Sequence, residues 1–343
     1  MTKTLDNDLA YIFSKTEFLL NKLDGKTVVI TGGTGFIGKW ILEYFLYLVR
    51  NKFTNVKVII LSRDPDFFLN QYPHFRFPHF QFIQGEIISF DYNKLPHADV
   101  IIHAATDASA KLNNEQPLRM IDTIVEGTRK VLDYAVRVKS IKVLYLSSGA
   151  VYGVQPDEMP GFPENYYGGP NILLTSSAYS EAKRLAELSC VCYQKQHQLN
   201  VTIARCFAFV GPYLPLDMHF AIGNFIGNGI KGEDIIIKGD GKPLRSYMYA
   251  ADLVIWLIYL LLHGENNVAY NVGSDVAISI KELAYEVAKF FPKVSVQILG
   301  MISPTDRNQN YVPNVNKIKT DLHVPEILGI SESIRRTIMF HNV

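Results

Sequence analysis

The chain has 343 residues, 48% apolar and 20% charged, enough for a large core and for two domains at roughly 150 residues each, and far from disordered or fibrous composition. A formal net charge of +1 gives no reason to expect nucleic acid or an anionic membrane as partner. Three cysteines, Cys190, Cys192 and Cys206, are too few for a disulfide scaffold and lack metal-ligand spacing, so they read as reduced thiols of a cytoplasmic protein that binds no metal.

The N-terminus carries Asp6 and Asp8 and no basic region ahead of an apolar one, unlike a secretory signal. Residues 9–23 read instead as an amphipathic helix within an N-terminal extension, 1–24, packed on the first domain's flank or on a partner subunit. Next comes Thr27-Val-Val-Ile-Thr-Gly-Gly-Thr-Gly-Phe-Ile-Gly38, a β-branched run that breaks into a turn spaced by Gly32, Gly35 and Gly38. From Phe36 to Arg50 the apolar spacing is helical, so the glycines fall between a strand and a helix. Such a turn aims the N–H groups around Thr34, Gly35, Phe36 and Ile37, and the positive end of the helix, at the pyrophosphate of a dinucleotide.

The second strand, Val56 to Leu61, ends in Ser62-Arg63-Asp64, where the adenosine ribose is expected. An acid at that point repels a 2′-phosphate, whereas a hydroxyl and an arginine welcome it. With the acid displaced past Arg63, NADP(H) is favoured over NAD(H); Asp64 reaching the ribose would reverse this. After the third strand, Phe80 to Gln84, Glu86 and Ile87 are placed to meet the adenine. Val100 to Ile102 opens into His103-Ala104-Ala105-Thr106-Asp107, whose small residues let the backbone lie against a flat ligand. His103 reads as a structural histidine.

A helix over 118–138 precedes the strand Lys142 to Ser147, which leaves Ser148 at its carboxyl end, the edge at which open parallel sheets bind ligands. Tyr179 and Lys183 lie four apart in a helix over 176–196 and share a face. Lys183 is expected to lower the Tyr179 phenol pKa while Ser148 hydrogen-bonds a substrate oxygen. Beyond the strand Val201 to Ala204, Gly211-Pro-Tyr-Leu-Pro215 reads as a domain crossing. Residues 25–210 then form a dinucleotide-binding domain, to which 250–275 return through the apolar run Leu253 to Leu262, too short for a membrane span. Residues 211–343 form mainly a smaller, discontinuous substrate lobe, in which Arg245, and secondarily Arg307, match a diphosphate.

Together these motifs resemble the extended short-chain dehydrogenase/reductase family, in its nucleotide-sugar epimerase/dehydratase branch. The resemblance covers about residues 25 to 340 and rests on Thr31 to Gly38, His103 to Ala105, Ser147-Ser-Gly-Ala-Val-Tyr-Gly153, Tyr179 with Lys183, Gly211-Pro212, Arg245-Ser-Tyr-x-Tyr with Asp252, and Tyr311-Val-Pro313. It implies a Rossmann doubly wound parallel sheet holding NAD(P), a C-terminal lobe closing over a nucleotide diphosphosugar, and a homodimer built through four helices. By family pattern Tyr179 is the acid/base at a sugar hydroxyl, usually on C4, Lys183 holds the nicotinamide ribose, and Ser148 orients the oxygen.

Departures narrow the reaction. Similar 4,6-dehydratases carry Asp-Glu after the serine or threonine, where this chain has Gly149 and Ala150, which cannot transfer protons. This disfavours a dehydratase, or a decarboxylase relying on that glutamate, unless Asp107 or Glu181 stands in. Ala208 replaces the asparagine that many relatives place before Gly-Pro, which moves substrate contacts toward Asn224 or His219. Oxidoreduction at C4 remains, with a 4-ketoreductase favoured over a 4-epimerase, and a non-catalytic NADP(H)-binding protein as the rival from another class.

Overall fold

Runs of β-branched and leucine residues form the central strands: β1 (Thr27–Thr31), β2 (Lys57–Ser62), β3 (Phe80–Gln84), β4 (Val100–His103), β5 (Lys142–Ser148) and β6 (Val201–Cys206). Five more are β7 (Phe209–Val210), β8 (Ile235–Ile237), β9 (Leu244–Arg245), β10 (Met248–Tyr249) and β11 (Val268–Val272), then β12 (Ile278–Ser279) and β13 (Val296–Ile298). The computed structural model describes residues 3–106, 110–218, 220–301 and 310–341. Seven strands make one sheet in the order β11-β6-β5-β4-β1-β2-β3, and every pairing in it is parallel. Its 3-2-1-4-5-6 run is the Rossmann order, extended by β11. The remaining strands pair only in twos.

The helices are α1 (Lys3–Thr16), α2 (Phe36–Arg50), α3 (Pro65–Gln71), α4 (Ala110–Glu115), α5 (Pro117–Arg137), α6 (Ala178–His197), α7 (Ala221–Lys231), α8 (Ala250–His263), α9 (Ile280–Ala288), α10 (Asn316–Leu322) and α11 (Ile330–His341). Parallel strands buried on both faces alternate their side chains between two cores. Val28, Ile30, Ile60 and Leu144 pack under α2 and α8, while Val29, Ile59, Ile101 and Tyr145 pack under α5 and α6. A third cluster, including Ile222, Ile226, Leu283, Val287 and Ile334, joins α7, α9 and α11 around β8.

The N-terminal helix begins at Lys3 rather than Leu9 and gives way after Thr16 to a 3-10 turn over Glu17–Lys22. Its buried stripe of Leu5, Leu9 and Ile12 already starts ahead of Leu9. This helix lies across α8, in which every residue from Ala250 to Leu261 is buried. A helix buried all round needs cover on all sides, and α1 supplies one of them.

A buried polar clasp fastens that cover. Asp8 accepts hydrogen bonds from Tyr249 Oη and from Arg336, and Tyr11 Oη donates to Asp252 (3.0 Å), whose other oxygen accepts the Leu328 N–H (2.9 Å). Burial holds the Asp8 carboxyl above its ordinary value even with those donors, and pushes Asp252 up to about 6. Asp8→Ala leaves the Tyr249 hydroxyl and the Arg336 guanidinium without this acceptor and is expected to lower stability by about 2–3 kcal/mol in urea unfolding. Glu332→Ala, which removes an Arg336 partner nearer the surface, should cost less than about 1 kcal/mol.

Candidate active site

The site is built at the fork where β1 lies between β2 and β4, the switch point of the sheet. Gly32, just past β1, has φ +74°, and a Cβ there would lie 2.6 Å from the Ala104 carbonyl and the Ala105 nitrogen. At Gly38 a Cβ would meet the Gly32 oxygen at 2.4 Å. The loop is thus pressed onto the end of β4 and onto itself, which no side chain at either position permits. Helix α2 starts at Phe36 with no acid in its first turn, so its positive end is not neutralised from within. Beside the loop a cleft is lined by Thr31, Gly32, Leu61, Arg63, Gly85, Glu86, Ile87, Ala105, Thr106 and Thr123. A dinucleotide fits this donor set: bare backbone at the helix end for the pyrophosphate, and a half-apolar cleft for the adenosine.

Asp64 goes elsewhere. Its carboxylate accepts the Phe67 N–H (3.0 Å) and caps α3, with Pro65 in the first turn, as Asp-Pro at a helix start favours. Ser62 is buried at the end of β2, and its carbonyl accepts the Gly85 N–H.

His103 is structural, as expected. Its Nδ1 and Nε2 pair with the hydroxyls of Thr31 (2.7 Å) and Thr128 (3.0 Å), and burial, then the charge of Lys183, pushes its pKa down to about 3. Lys183 Nζ donates to Thr106 Oγ1 and to the Leu146 carbonyl (both 2.8 Å) and sits 4.9 Å from the Tyr145 ring centre. Burial pulls its pKa down to about 8, against the opposing influence of Cys206 and Glu187.

Tyr179, one turn earlier on α6, has its phenol raised by burial, with the Ser148 hydroxyl acting in the opposite direction. The expected lowering by Lys183 is therefore not what this arrangement produces. Its ammonium is directed to Thr106 and Leu146, and desolvation governs the phenol.

Ser148 ends β5 and caps the next turn, its Oγ accepting the Ala150 N–H (3.2 Å). At Gly149 a side chain would have to displace its neighbours: a Cβ there would lie 2.6 Å from the tip of the Phe207 ring and 2.7 Å from Tyr311 Oη. Those two rings pack together with centres 4.7 Å apart. Burial holds the Tyr311 phenol well above its ordinary value, with the Ser148 hydroxyl acting in the opposite direction. Cys206 faces Ser148 across β5 and β6, its thiol pushed up to about 12 by burial.

Of the substrate residues expected from sequence, Arg245 lies on β9, bridged to Tyr311 and half-buried, and desolvation lowers its pKa. The structure thus brings Arg245 to the group around Ser148. Asn224 sits half-buried in the first turn of α7, and no described contact ties it to Ser148. Glu181 pairs with Arg184 at 3.6 Å, as an acid two residues along the helix from Tyr179 points elsewhere. Asp107, His219 and Arg307 lie outside the described residues. Sequence reasoning passed over Thr123, Phe207 and Cys206, and held Tyr311 only as part of a motif. Only the strand register of the folded sheet sets Cys206 opposite Ser148. Among the described residues no group of three His, Cys, Asp or Glu side chains could hold a metal ion.

The NAD dependent epimerase/dehydratase family matches residues 28–273. The chain belongs to that family. Among members it is 29% identical over 315 residues to UDP-glucuronic acid decarboxylase 5 of Arabidopsis thaliana, covering 90% of this chain and 85% of that one. To UDP-glucuronic acid decarboxylase 1 of Xenopus tropicalis it is 28% identical over 346 residues, 98% of this chain and 77% of the other. In fold it is similar to a UDP-N-acetylglucosamine 4-epimerase from Methanobrevibacter ruminantium M1 (TM-score 0.80, 21% identity, covering 93% and 99% of the two chains). It is similar also to dTDP-glucose 4,6-dehydratase from Bacillus anthracis in complex with NAD (TM-score 0.76, 22% identity, covering 93% and 97%). This enzyme family works with NAD on nucleotide sugars, and the glycine loop at β1 and α2 lies within the matched residues.

The closed space at Gly149 is open to test. Gly149→Asp is expected to lower unfolding stability by about 1–3 kcal/mol through overpacking, and Phe207→Leu in the same chain should recover part of the loss.

Proposed function

We propose that this chain transfers a hydride at C4 of a nucleotide diphosphosugar, as a 4-ketoreductase in preference to a 4-epimerase. The observation that carries the reading is the position after Ser148. Elimination across C5 and C6 needs an acid and a base there, and this chain has Gly149 and Ala150, with the tips of Phe207 and Tyr311 standing where a side chain at 149 would begin. One acid/base remains, Tyr179, beside one orienting hydroxyl, Ser148, with Lys183 one turn on.

Each residue has its share of the work. Gly32, Thr34, Gly35, Phe36, Ile37 and Gly38 hold the pyrophosphate, and Ser62, Arg63, Glu86 and Ile87 the adenosine, while Ala104, Ala105 and Thr106 underlie the rest of the dinucleotide. Bound there, the dinucleotide supplies or accepts the hydride. Tyr179 gives its phenolic proton to the sugar oxygen as the C4 carbonyl is reduced, or takes it back in the reverse direction. Ser148 holds that oxygen in line, Gly149 leaves space beside it, and Arg245, with Asn224 and the undescribed Asp107 and Arg307, grips the substrate and its diphosphate.

Commitment of Asp64 to the α3 cap, with Arg63 lining the cleft, supports NADP(H) over NAD(H). Residues 25–210 with 250–275 act as the dinucleotide half, behind the 1–24 extension, and 211–343 mainly as the substrate half. Exposed Leu118 on α5, and Leu185 and Leu188 on α6, support a homodimer through those helices. Among the described residues no helix is long and apolar enough to cross a membrane, which accords with a cytoplasmic location.

Similarity to UDP-glucuronic acid decarboxylases over 90% of the chain favours a second reading, in which C4 oxidation of a nucleotide-linked uronic acid lets its carboxylate leave as carbon dioxide. One assay separates the two. The protein is mixed with NADPH and nucleotide-linked 4-keto-6-deoxyhexoses, and separately with UDP-glucuronic acid and NAD. Oxidation of NADPH is expected. Interconversion of 4-epimers without added cofactor overturns the reductase in favour of the epimerase, and carbon dioxide release favours the decarboxylase.

Tyr179→Phe should lower the rate by about 100-fold or more, and a variant equal to wild type in every turnover assay revives a binding protein without catalysis. Arg63→Ala should weaken NADPH binding about tenfold, read by fluorescence titration, and leave NADH binding unchanged.

A further inference from the structure

Beyond β4 the chain lies flat against the end of β1. The Ala104 N–H donates to the Thr31 carbonyl (3.0 Å) and the Ala105 N–H reaches the Thr31 hydroxyl (3.4 Å), so Thr106 leaves the sheet from a fixed point. The Thr106 hydroxyl has one proton, and it goes to the Ala105 carbonyl at 2.8 Å. Toward any other group that oxygen is an acceptor only. What it accepts is an N–H of the Lys183 ammonium, 2.8 Å away, whose second acceptor is the Leu146 carbonyl on β5, also at 2.8 Å. The Tyr145 ring, centred 4.9 Å from Lys183 Nζ, covers another side. Lys183 is 2% exposed, so its acceptors must come from the protein or from a ligand rather than from bulk water.

Thr106 also lines the cleft beside the glycine loop. Its hydroxyl thus joins α6, the helix of Tyr179, to the wall of that cleft. Resting on the reading of the cleft as the dinucleotide site and of Lys183 as a dinucleotide contact, we propose that Thr106 is a positioning residue whose hydroxyl holds the Lys183 ammonium at the cleft's edge for the nicotinamide half of the dinucleotide. An ammonium has three N–H donors, and Thr106 and Leu146 take two. The third is left for the ligand, and the first two fix where it can point. Without the Thr106 acceptor the flexible four-carbon stem keeps a single anchor, and the ammonium is free to turn from the cleft.

Two measurements test this, and neither needs a sugar substrate. Dissociation constants are measured by calorimetry for whichever of NADPH and NADH the wild type binds, and for the matching half without nicotinamide, 2′,5′-ADP or ADP. Thr106→Val keeps the branched shape and removes the acceptor. It is expected to weaken the dinucleotide about tenfold and the half-ligand by less than about twofold, with Thr106→Ser restoring the loss. In a Lys183→Met background Thr106→Val should weaken binding no further, because the effect passes through the ammonium. An equal loss for the half-ligand, which makes Thr106 a wall of the cleft, overturns the proposal, as does an equal loss without Lys183. A wild type that binds neither dinucleotide overturns the reading of the cleft and this proposal with it, whereas binding left unchanged by Thr106→Val overturns this proposal alone.

The second readout uses the protein without dinucleotide. Burial pulls Lys183 down to about 8, and a hydrogen-bond acceptor favours its charged form, so removing Thr106 Oγ1 should lower the midpoint further. The Cε resonance of 13C-labelled lysine is followed against pH, with Lys183→Met marking the signal. The other titratable groups facing the ammonium are His103 on β4, Tyr145 on β5, Cys206 on β6, and Tyr179, Glu187 and Cys190 on α6, and Thr106→Val leaves each in place. A fall of about half to one pH unit is expected, and an unmoved midpoint overturns the role of Thr106.

Discussion

The contact between Gly32 and the Ala104 backbone is the constraint on which the rest of the site depends. β1 and β4 are neighbours, and beyond their ends the chain turns to opposite wings of the sheet, so the space above them is the natural crevice of the fold. A side chain at residue 32 would force those ends apart. Without one, the start of α2, the small residues after β4 and the end of β5 converge on one point. Backbone amides do the gripping, and the side chains around them are left to do chemistry.

A second constraint keeps that chemistry in register. Tyr179, Lys183 and Glu187 succeed one another by single turns along α6. Glu187 accepts from Ser147 (2.5 Å) and from Arg205 (2.7 Å), while Arg205 donates to Tyr152 (2.9 Å), whose own hydroxyl donates to Asn271 (2.7 Å). Four elements, β5, α6, β6 and β11, are thereby fastened below the reacting groups. A buried ion pair of this kind adds little net stability, and its value lies in geometry, because removing either partner strands the other. Locked at Glu187, the helix has no freedom to turn Tyr179 away from Ser148.

The site is also chemically frugal. Lys183 is buried, His103 is neutral between two threonines, and Cys206 is a protonated thiol. These settings leave Tyr179 as the group to which the proposed proton transfer falls, in keeping with a reaction whose hydride comes with the dinucleotide. The chain is similar both to UDP-glucuronic acid decarboxylases and to a UDP-N-acetylglucosamine 4-epimerase, and directly after Ser148 it carries Gly149 and Ala150, neither of which can transfer a proton.

Much of this was legible along the chain, because local rules sufficed. β-branched runs and glycine spacing marked β1 with its loop and α2, whose bounds came out residue for residue, and Ser148 was correctly set at a strand end. Asp64 was less legible: its role as a helix cap comes from the Asp-Pro that precedes α3, a local signal that competes with the ribose. The Tyr179 phenol misled, since spacing of four predicts proximity to Lys183 but cannot say where its ammonium points, and burial decided that. By itself, then, the sequence determined the doubly wound sheet, the glycine loop between β1 and α2, and the order of Ser148, Tyr179 and Lys183, all of which depend on neighbours close in the chain. Only the tertiary structure decided that Phe207 and Tyr311 fill the room beside Gly149. Residues 149, 207 and 311 meet through strand register and a single backbone bridge, and no periodicity or propensity encodes a contact between side chains so far apart.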